Sequence, residues 1–291
     1  MSVTVDLRAG ATSHPGLLRT NNEDRVYVDE NGGIFLVVDG MGGRAAGELA
    51  AHTAAQVIPQ QIASSEGDVS ERVRQAITAA NNEIYRLAQE REECRGMACV
   101  LTLAVAHEDR ITLGHVGDSR LYLVWNGTLR KLTSDHSLVG ELEERGELTE
   151  AAALAHPRRN EVFRDVGSKL REANDEEFIQ IKSFPFRPGA AILLCTDGLS
   201  DMLTSAEISS IVERYAGDPE VTAQELVAAA NQQGGKDNIS VVFVAGPEFL
   251  GNDSEAMVDA RARHSITQVR EIKSRWRKLL HRVAGLFPGS G

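Results

Sequence analysis

Long apolar runs are missing from this chain of 291 residues. No stretch approaches the ~20 consecutive apolar residues that a membrane-spanning helix needs. Met1 to Gly10 lacks a charged segment followed by an apolar one, so no secretory leader is expected. Cysteine is scarce: Cys94, Cys99 and Cys195 are the whole complement. None stands at zinc spacing from another Cys or a His, and Cys99 and Cys195 sit inside apolar runs. That excludes a disulfide framework and points to reduced thiols in the cytoplasm. Repeats and low-complexity tracts are absent. Basic charge is in deficit, with 31 Lys and Arg against 42 Asp and Glu. The deficit is uneven, because residues 252–291 hold eight Lys and Arg against four acids, a surplus of four positive charges. The rest of the chain therefore carries about −15, which argues against nonspecific nucleic-acid binding and fits a protein that gathers carboxylates around cations.

The chain is long enough to bury a substantial core. Val26–Val28 and Ile34–Val38 read as short strands around the turn Asn31-Gly32-Gly33. Helical spacing covers about 47–62 and again 70–93, where Val73, Ile77, Ala80, Ile84 and Leu87 share a face. Val100–Ala106, Ile111–Val116 and Leu121–Trp125 read as an antiparallel meander of three strands. Residues 134–175 are polar and broken by His156-Pro157, which suggests short helices and loop laid over a sheet. Strands resume at Phe178–Ile181 and Ala191–Cys195. Helices follow near 206–215 and 222–232, and a last strand covers Ile239–Val244. Strands and helices in blocks, rather than in strict alternation, predict an α+β fold of antiparallel sheets covered by helices.

Aspartates recur where apolar runs end. Phe35-Leu36-Val37-Val38 runs into Asp39-Gly40-Met41-Gly42-Gly43, and Ile192-Leu193-Leu194-Cys195 runs into Thr196-Asp197-Gly198. Asp118 interrupts two strands in Val116-Gly117-Asp118-Ser119-Arg120, and Asp237-Asn238 opens the last one. A single Asp-Gly is usually a turn. Four aspartates at strand ends are costly to bury unless cations neutralise them. All-oxygen ligation selects hard ions such as Mg²⁺ or Mn²⁺, and an adjacent glycine lets a backbone carbonyl approach the ion.

Together with Arg19-Thr20-Asn21-Asn22-Glu23-Asp24, these segments occur in an order and spacing that resemble the metal-dependent, type 2C protein phosphatases of bacteria. Leu132-Thr133-Ser134-Asp135-His136-Ser137 and His156-Pro157-Arg158-Arg159-Asn160 share in the resemblance, which spans roughly residues 4–245. It implies an α-β-β-α sandwich and hydrolysis of phosphoserine and phosphothreonine by a hydroxide bridging two Mn²⁺ or Mg²⁺ ions. It implies that Asp39 bridges the ions, with the Gly40 carbonyl on the second and Asp197 and Asp237 on the first. Glu23 is implied at the second ion, supported by Asp24. Asp118, with Asp197, would hold a weaker third ion, and Arg19 would receive the substrate phosphate. The planar guanidinium suits that role because it can donate two parallel hydrogen bonds.

Two segments depart from the family pattern. Ala98-Cys99-Val100 stands where Gly-Thr-Thr is usual, removing hydroxyls but no ligand. Glu161-Val162-Phe163-Arg164-Asp165-Val166-Gly167 differs from the usual sequence of the substrate-contacting flap, expected over about 136–175. A catalytically weak binding module is the alternative reading, and a regulatory phosphatase of anti-sigma-antagonist switches ranks below it. His115 reads as a packed strand residue, His136 and His156 as structural loop residues, and Arg120 as an ion-pair anchor. The catalytic domain is expected over 1–247, acting as a monomer on phosphorylated proteins, a cognate kinase or its substrates. Residues 248–291 are expected to form a linker and a basic amphipathic helix, with Ile266, Val269, Ile272, Trp276, Leu279, Leu280 and Val283 on one face. Such a helix fits docking on the acidic body, on a partner or on an anionic membrane surface.

Overall fold

The computed structural model describes residues 6–42 and 46–251. Gly43 of the Asp39–Gly43 motif and the expected C-terminal helix lie outside the described residues. Among the described residues ten strands form two five-stranded antiparallel sheets. One contains β2 (Arg25–Asp29), β3 (Ile34–Met41), β4 (Ala98–His107), β5 (Arg110–Val116) and β8 (Gln180–Pro185), in that order. The other runs β1 (Arg8–His14), β10 (Ile239–Ala245), β9 (Ala191–Cys195), β6 (Arg120–Trp125) and β7 (Thr128–Lys131).

Alternation along each strand builds the layers, because successive side chains point to opposite faces. Phe35 and Val37 of β3, Ile192 and Leu194 of β9, and Val242 and Val244 of β10 meet between the sheets. Leu36 and Val38 turn outward to α1 (Ala46–Ser64) and α2 (Val69–Glu90), where Ala50, Ala54, Ile58, Ile77 and Ile84 cover them. Leu193, Cys195, Val241 and Phe243 turn outward on the other side. They pack against α6 (Ser205–Glu213) and α7 (Pro219–Gln232) through Ile208, Leu226 and Ala230. Asp68 starts α2 by accepting the Glu71 N–H, and Thr204 with Glu207 forms a reciprocal capping box on α6, each satisfying donors that the first helical turn cannot. The expected α-β-β-α sandwich is thus the observed one.

The expected three-strand meander is corrected. β4 and β5 pair, but β6 does not join them; it pairs with β7 and β9 in the opposite sheet. Gly117-Asp118-Ser119 is therefore a crossover between sheets. Gly117 has φ +107°, and a Cβ there would meet Val100 Cβ at 2.2 Å, so only glycine fits. The strand expected over Phe178–Ile181 begins at Gln180. Phe178 and Ile179 precede it as buried core residues. Between β7 and β8 lie only α3 (Leu138–Glu144) and α4 (Glu150–Leu154), amid loop.

Candidate active site

The acidic residues fall at one end of the sandwich because their strands start or stop there. Asp39 faces Val100 near the end of β3, Arg25 opens β2 opposite Val38, and Cys195 closes β9 opposite both Val241 and Arg120. Glu23 and Asp24 thus precede β2, Asp197 follows β9, Asp237 precedes β10, and Asp118 lies in the crossover.

Their electrostatics report proximity. Asp39 is pushed well above the usual carboxylate range by lost hydration, then by the charges of Asp24, Asp197, Asp118 and Asp237. Asp197 is raised for the same reason, with Asp118, Asp201, Asp237 and Asp24 as the repelling neighbours. Burial lifts Asp118 to about 7, with Asp135 and Asp201 adding to it. Asp24 also rises to about 7 through burial, although hydrogen bonds from Ser240 and Thr196 pull the other way. Glu23 is raised by burial against the lowering pull of Arg19. Like charges held this close favour protonation or a counter-ion.

Among the described residues these side chains do not close into a ready cluster of three or more ligands. Two observations nonetheless suit a hard cation. Asp24 Oδ1 and Asp197 Oδ1 are buried without any hydrogen-bond partner, which costs free energy unless an ion or donor meets them. Gly47, in the first turn of α1, leaves a cradle: a Cβ there would lie 2.8 Å from Gly40 O and 2.9 Å from Glu23 Oε2. A carbonyl and a carboxylate therefore converge on space that any other residue would fill, and such a pair of oxygens fits Mn²⁺ or Mg²⁺.

Arg19 lies on Asp237, its Nη2 donating to Oδ2 at 2.8 Å. The sequence had set these two apart, one for phosphate and one for metal; the structure joins them as an ion pair. Several supporting residues were not singled out in the sequence. The Asn238 amide accepts the Glu23 N–H at 2.8 Å and donates to Pro15 O and Asn21 O. Asn160 reaches from the loop after α4 to Asp197 Oδ2 at 3.3 Å, and Arg159 donates to Asp201 Oδ2 at 2.8 Å. Asn160, Arg159 and Asn238 stand in quoted motifs, so a signal existed; Asp201, four residues beyond Asp197, carried none.

His136 is structural. Its Nδ1 accepts the Gly117 N–H at 3.0 Å, and its own N–H donates to Gly117 O at 2.7 Å. His115 is buried, with its ring 2.9 Å from the Thr102 hydroxyl and 3.2 Å from Ser134 O. His156 accepts the Arg158 N–H within its own turn. Arg120 grips Asp135 at 2.7 Å, the anchoring ion pair expected of it. In the departing segment, Val100 stacks on Gly117, and Cys99 exchanges two backbone hydrogen bonds with Val166, tying the loop before β8 to β4.

Two antiparallel sheets between helices, with acidic strand ends gathered at one edge and an arginine beside them, define a cation-dependent phosphohydrolase. The chain belongs to the protein phosphatase 2C family, whose signature matches residues 19–230. It is 34% identical over 239 residues to the serine/threonine phosphatase stp of Listeria welshimeri serovar 6b, covering 79% of this chain and 92% of that one. The crystal structure of the Mycobacterium tuberculosis serine/threonine phosphatase PstP/Ppp superposes with a TM-score of 0.74 at 32% identity, covering 82% of this chain and 98% of that one. A structure of the PstP catalytic domain with two manganese ions gives 0.73 at 30% identity, covering 82% and 97%. As a family member the chain is a serine/threonine phosphoprotein phosphatase, a hydrolase dependent on Mn²⁺ or Mg²⁺.

Proposed function

We propose that Glu23, Asp39, Asp197, Asp237 and the Gly40 carbonyl hold the two catalytic ions, with Asp24 in support. Asp118 and Asp197 hold a weaker third. The observation that carries this reading is geometric: Asp24 Oδ1 and Asp197 Oδ1 are buried without a partner, and Gly40 O and Glu23 Oε2 converge beside Gly47. When bound, the ions supply Lewis-acid activation of water and of the phosphoryl group. The protein's own residues do the positioning. Thr196 and Ser240 fix Asp24, and Asn238 fixes the loop that carries Arg19 and Glu23. Arg19, exposed at the edge with Nη2 on Asp237, has its remaining guanidinium donors for the equatorial oxygens as charge spreads over them. Neither Cys99 nor Cys195 takes part: burial pushes the Cys195 thiol up to about 12 and Cys99 well above its ordinary value, so neither is a thiolate near neutral pH.

The substrates are phosphorylated Ser/Thr proteins, and the enzyme opposes a kinase in the cytoplasm as a monomer. Among the described residues no helix is long and apolar enough to cross a membrane. The catalytic unit is residues 1–247, with 136–175 as the flap, and the basic segment 248–291 attaches it to a partner or an anionic surface. The binding-module alternative is not favoured, because Glu23, Asp39, Asp197 and Asp237 are all in place. The test is phosphate release from a phosphothreonine peptide with Mn²⁺, Mg²⁺ or chelator. Release by the wild type that vanishes with chelator and in an Asp39→Asn, Asp237→Asn variant supports the reading. A folded wild type that releases none overturns it.

A further inference from the structure

The loop between β1 and β2 carries two adjacent leucines into solvent. Leu17 is 61% and Leu18 70% exposed, directly before Arg19. Single surface leucines are common; these two are held out on a pinned backbone. The Leu17 N–H donates to Gly235 O at 2.7 Å, and the Gly16 N–H donates to His14 Nδ1 at 2.9 Å. The Asn238 amide donates to Pro15 O at 3.1 Å and to Asn21 O at 2.8 Å. Gly16 has φ +78°, and a Cβ on it would stand 2.2 Å from Asp237 O, so the loop is pressed against the segment bearing Asp237. The chain entropy of presenting the leucines is thus spent before a partner arrives, and preorganised apolar contacts convert efficiently into affinity.

Consecutive Cα atoms are ~3.8 Å apart. Arg19 lies on Asp237, against whose carbonyl Gly16 is also pressed, so the two leucines between Gly16 and Arg19 border the edge where a substrate phosphate would meet Arg19. The surface is continuous with the catalytic edge, so substrate is the occupant its position favours. An acidic flank on that substrate would be repelled by the carboxylates alongside; an apolar flank would bury against Leu17 and Leu18.

Building on Arg19 as the phosphate-side residue, we propose that Leu17 and Leu18 select phosphoproteins with a large apolar side chain beside the phosphorylated Ser or Thr. The test compares p-nitrophenyl phosphate, which has no flanking residues, with paired phosphothreonine peptides bearing leucine or serine next to the phosphoresidue. Assays use the full chain with Mn²⁺. Wild type is expected to favour the leucine peptides about tenfold in kcat/KM, the scale of a modest apolar contact. Leu17→Ser with Leu18→Ser should erase that preference while leaving p-nitrophenyl phosphate turnover unchanged. Because Leu17 packs at Gly235, Leu18→Ser alone is the second variant, and it should lose part of the preference. Equal wild-type rates on both peptides, or a preference that survives in both variants, overturns the inference. Unchanged peptide ratios with a dimer that dissociates in Leu18→Ser would give the surface to a second copy and likewise overturn it. A wild type inactive on p-nitrophenyl phosphate would overturn the phosphatase reading itself, and this inference with it.

Discussion

Thr196 donates its hydroxyl to Asp24 Oδ2 at 2.9 Å, and the same hydroxyl oxygen accepts the Ser240 N–H at 3.0 Å. One buried side chain thus ties the residue after β9 to the residue before β2, across the two sheets. Thr196→Val keeps the shape and removes both bonds, leaving a buried carboxylate and a buried N–H less satisfied. The expected cost is about 1–3 kcal/mol, read as a lower urea midpoint. Thr196→Ser should stay near wild type. An unchanged midpoint in the valine variant would show that the bond contributes nothing.

Binding of Mn²⁺ should stabilise the fold. The carboxylates at the sandwich edge repel one another, and an ion that binds only the folded state adds about 2.7 kcal/mol at a hundredfold excess over its Kd. Thermal unfolding with Mn²⁺ and with chelator checks this. Asp39→Asn should lower the repulsion in the metal-free protein and shrink the shift that Mn²⁺ produces.

His115 imposes a cost in acid. Burial depresses it to about 4, below its ordinary 6.5. The unfolded chain binds the proton first, so its contribution is fully present above pH 6.5 and is lost as pH falls towards 4. Asp24 and Asp118 are shifted oppositely, so their contribution falls as pH rises from about 4 to about 7. The diagnostic quantity is therefore the difference between wild type and His115→Gln. Any advantage of wild type should shrink by about 3 kcal/mol across that window, taking ~1.4 kcal/mol per pH unit. A constant difference in denaturant melts from pH 7 to 4 would disprove it.

Arg19→Lys keeps the charge and loses the planar fork. The expected effect is a ~10- to 100-fold fall in kcat/KM for phosphopeptides, the worth of one hydrogen bond to a charged group. Inhibition by free phosphate should weaken in parallel. If it does not, Arg19 is a partner of Asp237 and nothing more.

The layered fold was legible where strands are apolar on both faces and an aspartate stands just beyond one end. Ala191–Cys195 has the expected limits, and Ile239–Ala245 differs by one residue. The two edge strands of the second sheet were not legible. Arg8–His14 mixes small and polar residues, and Thr128–Lys131 is half exposed, so neither carries a strong period. The crossover at Gly117–Ser119 was hidden because Ile111–Val116 and Leu121–Val124 are largely buried, and burial on both faces does not say which sheet a strand joins. The acidic residues were legible as a set. Their tertiary partners, Thr196 for Asp24 and Asn160 for Asp197, were not, because those contacts join residues 172 and 37 positions apart.

The pairing of β1 with β10 bears on how the enzyme comes into being. Arg8 lies opposite Ala245, and His14 opposite Ile239. Among the described residues the strand nearest the N-terminus thus pairs with the strand nearest the C-terminus, and Asp237 lies just ahead of the latter. A nascent chain therefore holds Glu23 and Asp39 long before it can complete the acidic edge. Such long-range closure comes late in folding, so the acidic edge is complete only once β10 is available to pair with β1.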